Sequence, residues 1–260
     1  MPRLDGKVSI ITGGSMGIGY AAAQRFLKEG AEVFIVGRFE ETLKQATLEL
    51  GKHCHAIVAD CADVKQVTSM VETAVEQFGR LDVLFLNHAF SLPGEVMDDM
   101  TEALFDRMMN TNLKGTYFAI KAARPHMRRG STIILTSSIG GHVANRAVPV
   151  FNMTKAAIRS LTRSMCGALS AQGIRVNSIS PGFTNSGVFQ KIGMSAEQVA
   201  TMIDRQSEQI PSGRFATVEE IANGALFLAS EESSYVNGAD LCIDGGVIQV
   251  MPETPTMPVA

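Results

Sequence analysis

The chain has few cysteines, few tyrosines, no long apolar run and no block of like charge, and each shortage excludes a class of protein. Its four cysteines, Cys54, Cys61, Cys166 and Cys242, are scattered over 260 residues without C-x-x-C or C-x-x-H spacing, so no disulfide framework is expected. They read as small buried hydrophobes in a reducing, cytoplasmic compartment. No two of the five histidines stand at i, i+4, and His53-Cys54-His55 lies on an extended stretch with no second ligand pair, so no metal site is expected. No apolar segment reaches the roughly 18 residues a bilayer crossing needs. Lys7 leads straight into Val8-Ser9-Ile10-Ile11, so neither a leader nor membrane contact is expected. Lysine and arginine total 23 against 26 aspartates and glutamates, a formal charge of −3 with no run of one sign, which gives a phosphate backbone nothing to bind. Nucleic acid is therefore not expected as a partner.

The chain does have enough apolar residues, 45%, to bury a sizeable core, and its length suits one large domain over residues 1–250. Seven short, nearly continuous apolar runs are expected as strands: Val8 to Thr12, Glu32 to Val36, His55 to Ala59, Val83 to Leu86, Thr132 to Thr136, Arg175 to Ile179 and Asp240 to Ile243. Helical periodicity fills the gaps, at Ile18 to Lys28, Glu40 to Leu50, Val64 to Phe78, Thr101 to Met127, Phe151 to Ser170 and Val218 to Ala229. This alternation predicts an α/β fold, a doubly wound, seven-stranded parallel sheet with helices on both faces. The segment from Thr184 to Arg214 departs from the rhythm and is expected as a substrate loop. Residues 251–260, rich in proline, are expected as a tail without helix or inner strand.

Between the first strand and first helix stands Thr12-Gly13-Gly14-Ser15-Met16-Gly17-Ile18-Gly19. Glycines there let a pyrophosphate approach the helix N-terminus and its exposed N–H groups. The T-G-x-x-x-G-x-G spacing resembles that of the short-chain dehydrogenase/reductase family, and the resemblance runs from Lys7 to Gly246. It implies a single-domain Rossmann fold, hydride transfer between a nicotinamide cofactor and a small-molecule carbonyl or alcohol, and a homodimer or homotetramer. The helices Thr101 to Met127 and Phe151 to Ser170 are the dimer faces it implies.

The second strand ends in Gly37 and Arg38, where an NAD site would want a carboxylate for the ribose 2′-OH. A 2′-phosphate suits Arg38 better, so NADP(H) is expected rather than NAD(H), unless Arg38 is only a solvated strand-end charge. By resemblance Asp60 holds the adenine beside Cys61, and Asn87 and Ala89 lie near the adenosine ribose or brace the central strand. Pro181-Gly182-Phe183-Thr184-Asn185-Ser186 resembles the segment whose backbone receives the carboxamide, with hydroxyls at Thr184 and Ser186.

The family's working group is an Asn, a Ser, a Tyr and a Lys. Asn112, in Asn110-Thr111-Asn112-Leu113-Lys114-Gly115, resembles the position that holds a proton-relay water, and Ser138 the hydroxyl that bonds the reacting oxygen. Where Tyr-x-x-x-Lys is expected, the chain reads Phe151-Asn152-Met153-Thr154-Lys155. The i, i+4 spacing puts position 151 and Lys155 on one helical face, where a cation would lower a phenol's pKa and hold ribose hydroxyls. Phenylalanine keeps the ring and lacks the proton. Either tyrosine has been replaced in an otherwise ordinary enzyme, with turnover impaired, or the chemistry needs no strong acid, as with an iminium, or takes its proton from His142, Ser138 or water. A protein that binds nucleotide without catalysis is the third reading.

The family's Asn-Asn-Ala-Gly is here Asn87-His88-Ala89-Phe90, so Phe90 should project toward the substrate space or force its loop aside. His88 is either a proton donor or a packed, hydrogen-bonded residue. Phe90, Ser138, His142, Asn145, Arg146, Phe151 and Phe183 are the expected walls of an apolar pocket with a few polar points. A hydrophobic or cyclic small molecule is the expected substrate.

Overall fold

The computed structural model describes residues 2–92, 97–143, 147–187 and 193–250. Seven strands form one parallel sheet: β1 (Val8–Thr12), β2 (Glu32–Gly37), β3 (Cys54–Val58), β4 (Leu81–Leu86), β5 (Met127–Thr136), β6 (Arg175–Pro181) and β7 (Asp240–Ile243). Their order is β3-β2-β1-β4-β5-β6-β7, the doubly wound Rossmann arrangement, which reverses direction between β1 and β4. Every residue of β1 and β6 is buried, as expected of inner strands covered by helices on both faces. Each of the seven predicted strands is found within a few residues of its expected ends. β5 is the exception in length, starting five residues early, with a register shift between Leu81 and Val83 of β4.

The helices are α1 (Gly17–Lys28), α2 (Glu40–Leu50), α3 (Val64–Phe78), α4 (Glu102–Met109), α5 (Thr116–Ala123), α6 (Pro149–Leu169), α7 (Ala196–Ser207) and α8 (Val218–Ala229). One apolar layer gathers Val67, Met70 and Val71 of α3, Ile120 of α5 and Ile158 of α6 over one sheet face. The other gathers Ala22 and Phe26 of α1, Leu43 of α2, and Ile221, Ala225 and Leu226 of α8. Phe26, Phe34 and Phe85 are fully buried, and each contributes about 1.5–3 kcal/mol by leaving water.

Two expectations are corrected. The single helix from Thr101 to Met127 is instead α4, a π-helical turn over Asn110–Gly115, α5, and a 3-10 turn over Arg124–His126, with Met127 already in β5. Pro125 sits at the start of the 3-10 turn, where its missing N–H interrupts no α-helical ladder. The predicted loop from Thr184 to Arg214 contains α7, opened by a capping box in which Ser195 accepts from Gln198 N and Gln198 reaches back to Ser195 N. Among the described residues, no helix is long and apolar enough to cross a membrane. The predicted tail lies outside the described residues, as do Asn145 and Arg146.

Candidate active site

The C-terminal ends of β1 and β4 meet at the switch point of the sheet, where open α/β folds bind ligands. Gly13 turns the chain out of β1 with φ +66°, a left-handed conformation that a side chain would strain. Gly19, in the first turn of α1, lies so close to this turn that a Cβ would overlap the Gly13 carbonyl oxygen and come within 2.9 Å of Asn87 Nδ2. Met16, at the N-cap of α1, makes no side-chain capping bond, so the first amides of the helix remain available beside Gly17 and Ile18. A Cβ on Gly17 would stand 3.1 Å from the Ser186 carbonyl oxygen, which brings the turn against the segment after β6. This is a cradle of backbone donors with its side-chain space already closed, and it suits a pyrophosphate.

Thr12 organises the floor. Its Oγ1 accepts from the amides of Asn87 (3.0 Å) and His88 (3.2 Å) and bonds Nδ1 of His88 at 2.7 Å. Asn87 Oδ1 in turn accepts from Thr136 Oγ1 at 3.2 Å, so the ends of β1, β4 and β5 are joined by side chains. Position 87 therefore braces the central strands. Ala89, next along, is exposed.

On the outer half of the cleft, Ser15 Oγ lies 3.6 Å from where a Cβ on Gly37 would stand. Arg38 is exposed, its guanidinium 5.3 Å from the Phe39 ring centroid. Asp60 accepts from Ala62 N at 2.9 Å and pairs with Arg107 at 3.0 Å. Cys61 is buried, and burial, helped by Asp60, pushes its thiol up to about 12. The Arg107 guanidinium also stands over Phe90, 5.6 Å from its centroid. Phe90 thus lies against the cation that bonds Asp60. Asn112 holds the backbone of Phe90 on both sides, accepting from its N–H at 2.7 Å and donating to its carbonyl at 3.0 Å.

The inner half is built by β5, β6 and α6. Ser138 follows β5, with Oγ accepting from Gly140 N at 3.1 Å. Its neighbour Ser137 ties the strand end to α6 through a 2.9 Å bond to the Lys155 carbonyl. Lys155 is 2% exposed; its Nζ donates to Thr136 O at 2.7 Å and stands 5.4 Å from the centroid of the Phe151 ring. Burial pulls its ammonium down to about 8. Gly182 N donates to Ile243 O at 2.9 Å, fixing the Pro181-Gly182 turn, and Thr184 Oγ1 donates back to Gly182 O. An open groove of about 730 Å³ lies between Phe183 and α7, lined also by Thr201, Met202, Arg205 and Gln206.

Comparison with known proteins accords with this geometry. Residues 13–248 match the protein family described as enoyl-(acyl carrier protein) reductase. The chain is 37% identical over 252 residues to oxidoreductase asL5 of Sarocladium schorii, covering 95% of this chain and 98% of that one. It is 35% identical over 251 residues to the 3-oxoacyl-(acyl carrier protein) reductase FabG of Thermotoga maritima, covering 95% and 99%. The crystal structure of a short-chain dehydrogenase from Burkholderia cenocepacia in complex with NADP superposes with a TM-score of 0.85 at 30% identity, covering 94% of this chain and 99% of that one. The chain belongs to the short-chain dehydrogenase/reductase family.

In this short-chain dehydrogenase/reductase, a side-chain bond from Asn112 ties the π-helical turn to α6. Asn112 uses its side chain to hold the Phe90 backbone and to donate to Thr154 Oγ1 at 3.1 Å, while its carbonyl accepts from Thr116 Oγ1. The π-helical turn makes this placement possible. His142 turns its Nε2 to Asp240 at 2.7 Å. Arg107, Thr154 and Asp240 were given no role from the sequence and carry no local signal. Thr12 stood in the glycine motif without a role of its own.

His88 is the packed residue rather than the donor. Nε2 lies 3.0 Å from Thr111 O and Nδ1 bonds Thr12. Burial, and then the charge of Lys155, pull its pKa down to about 4. The unfolded chain takes up this proton near pH 6.5 and the folded one only near 4, so the stabilisation is complete above 6.5 and lost as pH falls toward 4. Between pH 7 and pH 5 the loss from this group is about 2 kcal/mol. Denaturant titrations at both pH values should show a steeper loss for the wild type than for His88→Asn; equal losses would show that His88 already titrates freely.

Proposed function

We propose that the chain is an NADP(H)-dependent oxidoreductase acting on the carbonyl or alcohol carbon of a hydrophobic or cyclic small molecule, with turnover limited at the proton step. The observation that carries the proposal is the closed glycine turn at Gly13 and Gly19 beside the open N-terminus of α1, at the switch point of the sheet. NADPH bound there supplies the hydride. Gly13, Ser15, Met16, Gly17, Ile18 and Gly19 would hold its pyrophosphate and Arg38 its 2′-phosphate, while Asp60 and Cys61 would flank the adenine. Asn87 and Ala89 would line the ribose side, Lys155 would bond the ribose hydroxyls, and Pro181, Gly182, Thr184 and Ser186 would receive the carboxamide.

Ser138 is assigned to bond the reacting oxygen. Its Oγ accepts from Gly140, so its own proton is free to point outward. Phe151 presents a ring without a proton, and Lys155 is the ionisable group beside it. A substrate carbon that already carries positive charge, such as an iminium, is the second reading, favoured by that missing hydroxyl. Titration of intrinsic fluorescence or NADPH emission should give a lower Kd for NADPH than for NADH, and Arg38→Ala should abolish the difference. Tighter binding of NADH would overturn the cofactor assignment.

A further inference from the structure

The half-buried cluster where the turn after Ser138 meets the edge of the sheet has no part in the reading above. His142 Nε2 lies 2.7 Å from Asp240 Oδ2, 3.3 Å from Ser180 Oγ and 3.5 Å from Cys242 Sγ. Ser180 Oγ is in turn 2.9 Å from Asp240 Oδ2. One donor atom each from His142, Asp240 and Cys242 lie within 4.8 Å of one another. The register explains the convergence: Ser178 pairs with Asp240 and Ser180 with Cys242, so four side chains from adjacent strands share one face, and the turn at Ile139–Gly141 brings His142 over them.

We propose that His142, Asp240 and Cys242 form a binding site for a borderline-soft divalent cation of the zinc class, with Ser180 Oγ or water as fourth ligand. Around tetrahedral zinc, bonds of about 2.0–2.1 Å to nitrogen or oxygen and 2.3 Å to sulfur place two light donors about 3.3 Å apart and a nitrogen and sulfur about 3.5 Å apart. The His142 to Cys242 and His142 to Ser180 separations already have these values. The His142 to Asp240 contact must open by about 0.6 Å and the 2.9 Å Ser180 to Asp240 contact by about 0.4 Å, as metal bonds replace hydrogen bonds.

Electrostatics agree with a cation. Asp240 and Asp244 both bear on Cys242, against the single positive charge of Arg159, whose Nε bonds Asp240 Oδ2 at 2.8 Å. The cluster thus keeps one unbalanced negative charge, which a divalent ion neutralises when Cys242 gives up its proton to solvent. Arg159 retains its 2.8 Å bond to Gly141 O, and Ser178 continues to hold Asp240 Oδ1, so the surrounding hydrogen bonds that orient a metal ligand are in place. Arg159 would share Asp240 Oδ2 with the ion through its 2.8 Å bond and so lower the affinity. The three ligands come from residues 98 and 100 positions apart, which is why residue spacing gave no sign of them.

Cobalt(II) added to the metal-free full-length chain should produce a thiolate-to-cobalt charge-transfer band and the strong visible bands of a four-coordinate ion, saturating near one equivalent. Cys242→Ser should remove the charge-transfer band, and His142→Ala should weaken binding at least tenfold. In the unmodified chain, zinc should slow alkylation of Cys242 at least tenfold, measured by peptide mapping, while Cys166 is unaffected. This second measurement needs no variant and stands if either substitution unfolds the protein. Absence of the thiolate band, its persistence in a folded Cys242→Ser, or equal alkylation of Cys242 with and without zinc would overturn the proposal.

Discussion

Phe151→Tyr is expected to raise carbonyl turnover by a factor of about 10² to 10⁴, the usual worth of a positioned general acid. The neighbourhood is ready for a phenol. Lys155 stands 5.4 Å from the ring centroid, is held by Thr136 O, and retains most of its charge at pH 7 although burial brings it to about 8. A cation so placed stabilises phenolate and lowers the phenol's pKa toward the working range. The added hydroxyl changes the ring by one atom, so the Kd for NADPH should stay within about twofold while kcat rises. Single-turnover reduction of a cyclic ketone at pH 7 measures the effect. No gain, with an iminium substrate reduced equally well by both forms, would shift the assignment to the second reading.

Gly19→Ala is expected to remove cofactor binding. The new methyl meets the Gly13 carbonyl oxygen, a backbone atom that cannot rotate away, and Asn87 Nδ2 lies within 2.9 Å on the other side. The start of α1 must therefore shift relative to the turn, and overpacking of this kind costs about 1–3 kcal/mol or more. A loss of about 3 kcal/mol in cofactor binding corresponds to a weakening of roughly 10²-fold. Isothermal titration with NADPH tests affinity, and thermal melting of the free protein separates it from lost stability. Unchanged affinity would mean that the pyrophosphate does not sit on this turn.

The strands were legible because burial on both faces leaves a simple mark: runs such as Val8–Thr12 and Glu32–Gly37 admit few polar residues wherever helices cover the sheet. The helix at Ala196–Ser207 was hidden because Val199 is its only buried residue, although Ser195 and Gln198 already spelled a capping box. The break at Asn110 was hidden for another reason. The apolar spacing of Thr101 to Met127 is helical throughout although Asn110, Asn112, Gly115 and Pro125 are poor helix formers, and tertiary bonds from Asn112 to Phe90 and Thr154 sit where the hydrogen-bond pattern loosens. In the site, glycines and the Ser138 and Lys155 positions could be read, because close backbone approach and i, i+4 spacing are local properties. His142 could be placed in the turn but not oriented, since its partner Asp240 lies on the last strand.

The π-helical turn over Asn110–Gly115 also fixes how the two halves of that segment face. A wider turn holds one residue more than an α-helical one, so α5 is rotated about its axis by roughly 100° from where an uninterrupted helix would have carried it. Excising a single amino acid from this stretch would return the phase to normal. Either Asn112 would swing off the Phe90 backbone, or Ala119, Ile120 and Ala123 would rotate out of the core; the surplus residue is what lets one continuous rod serve the cleft and the sheet at once.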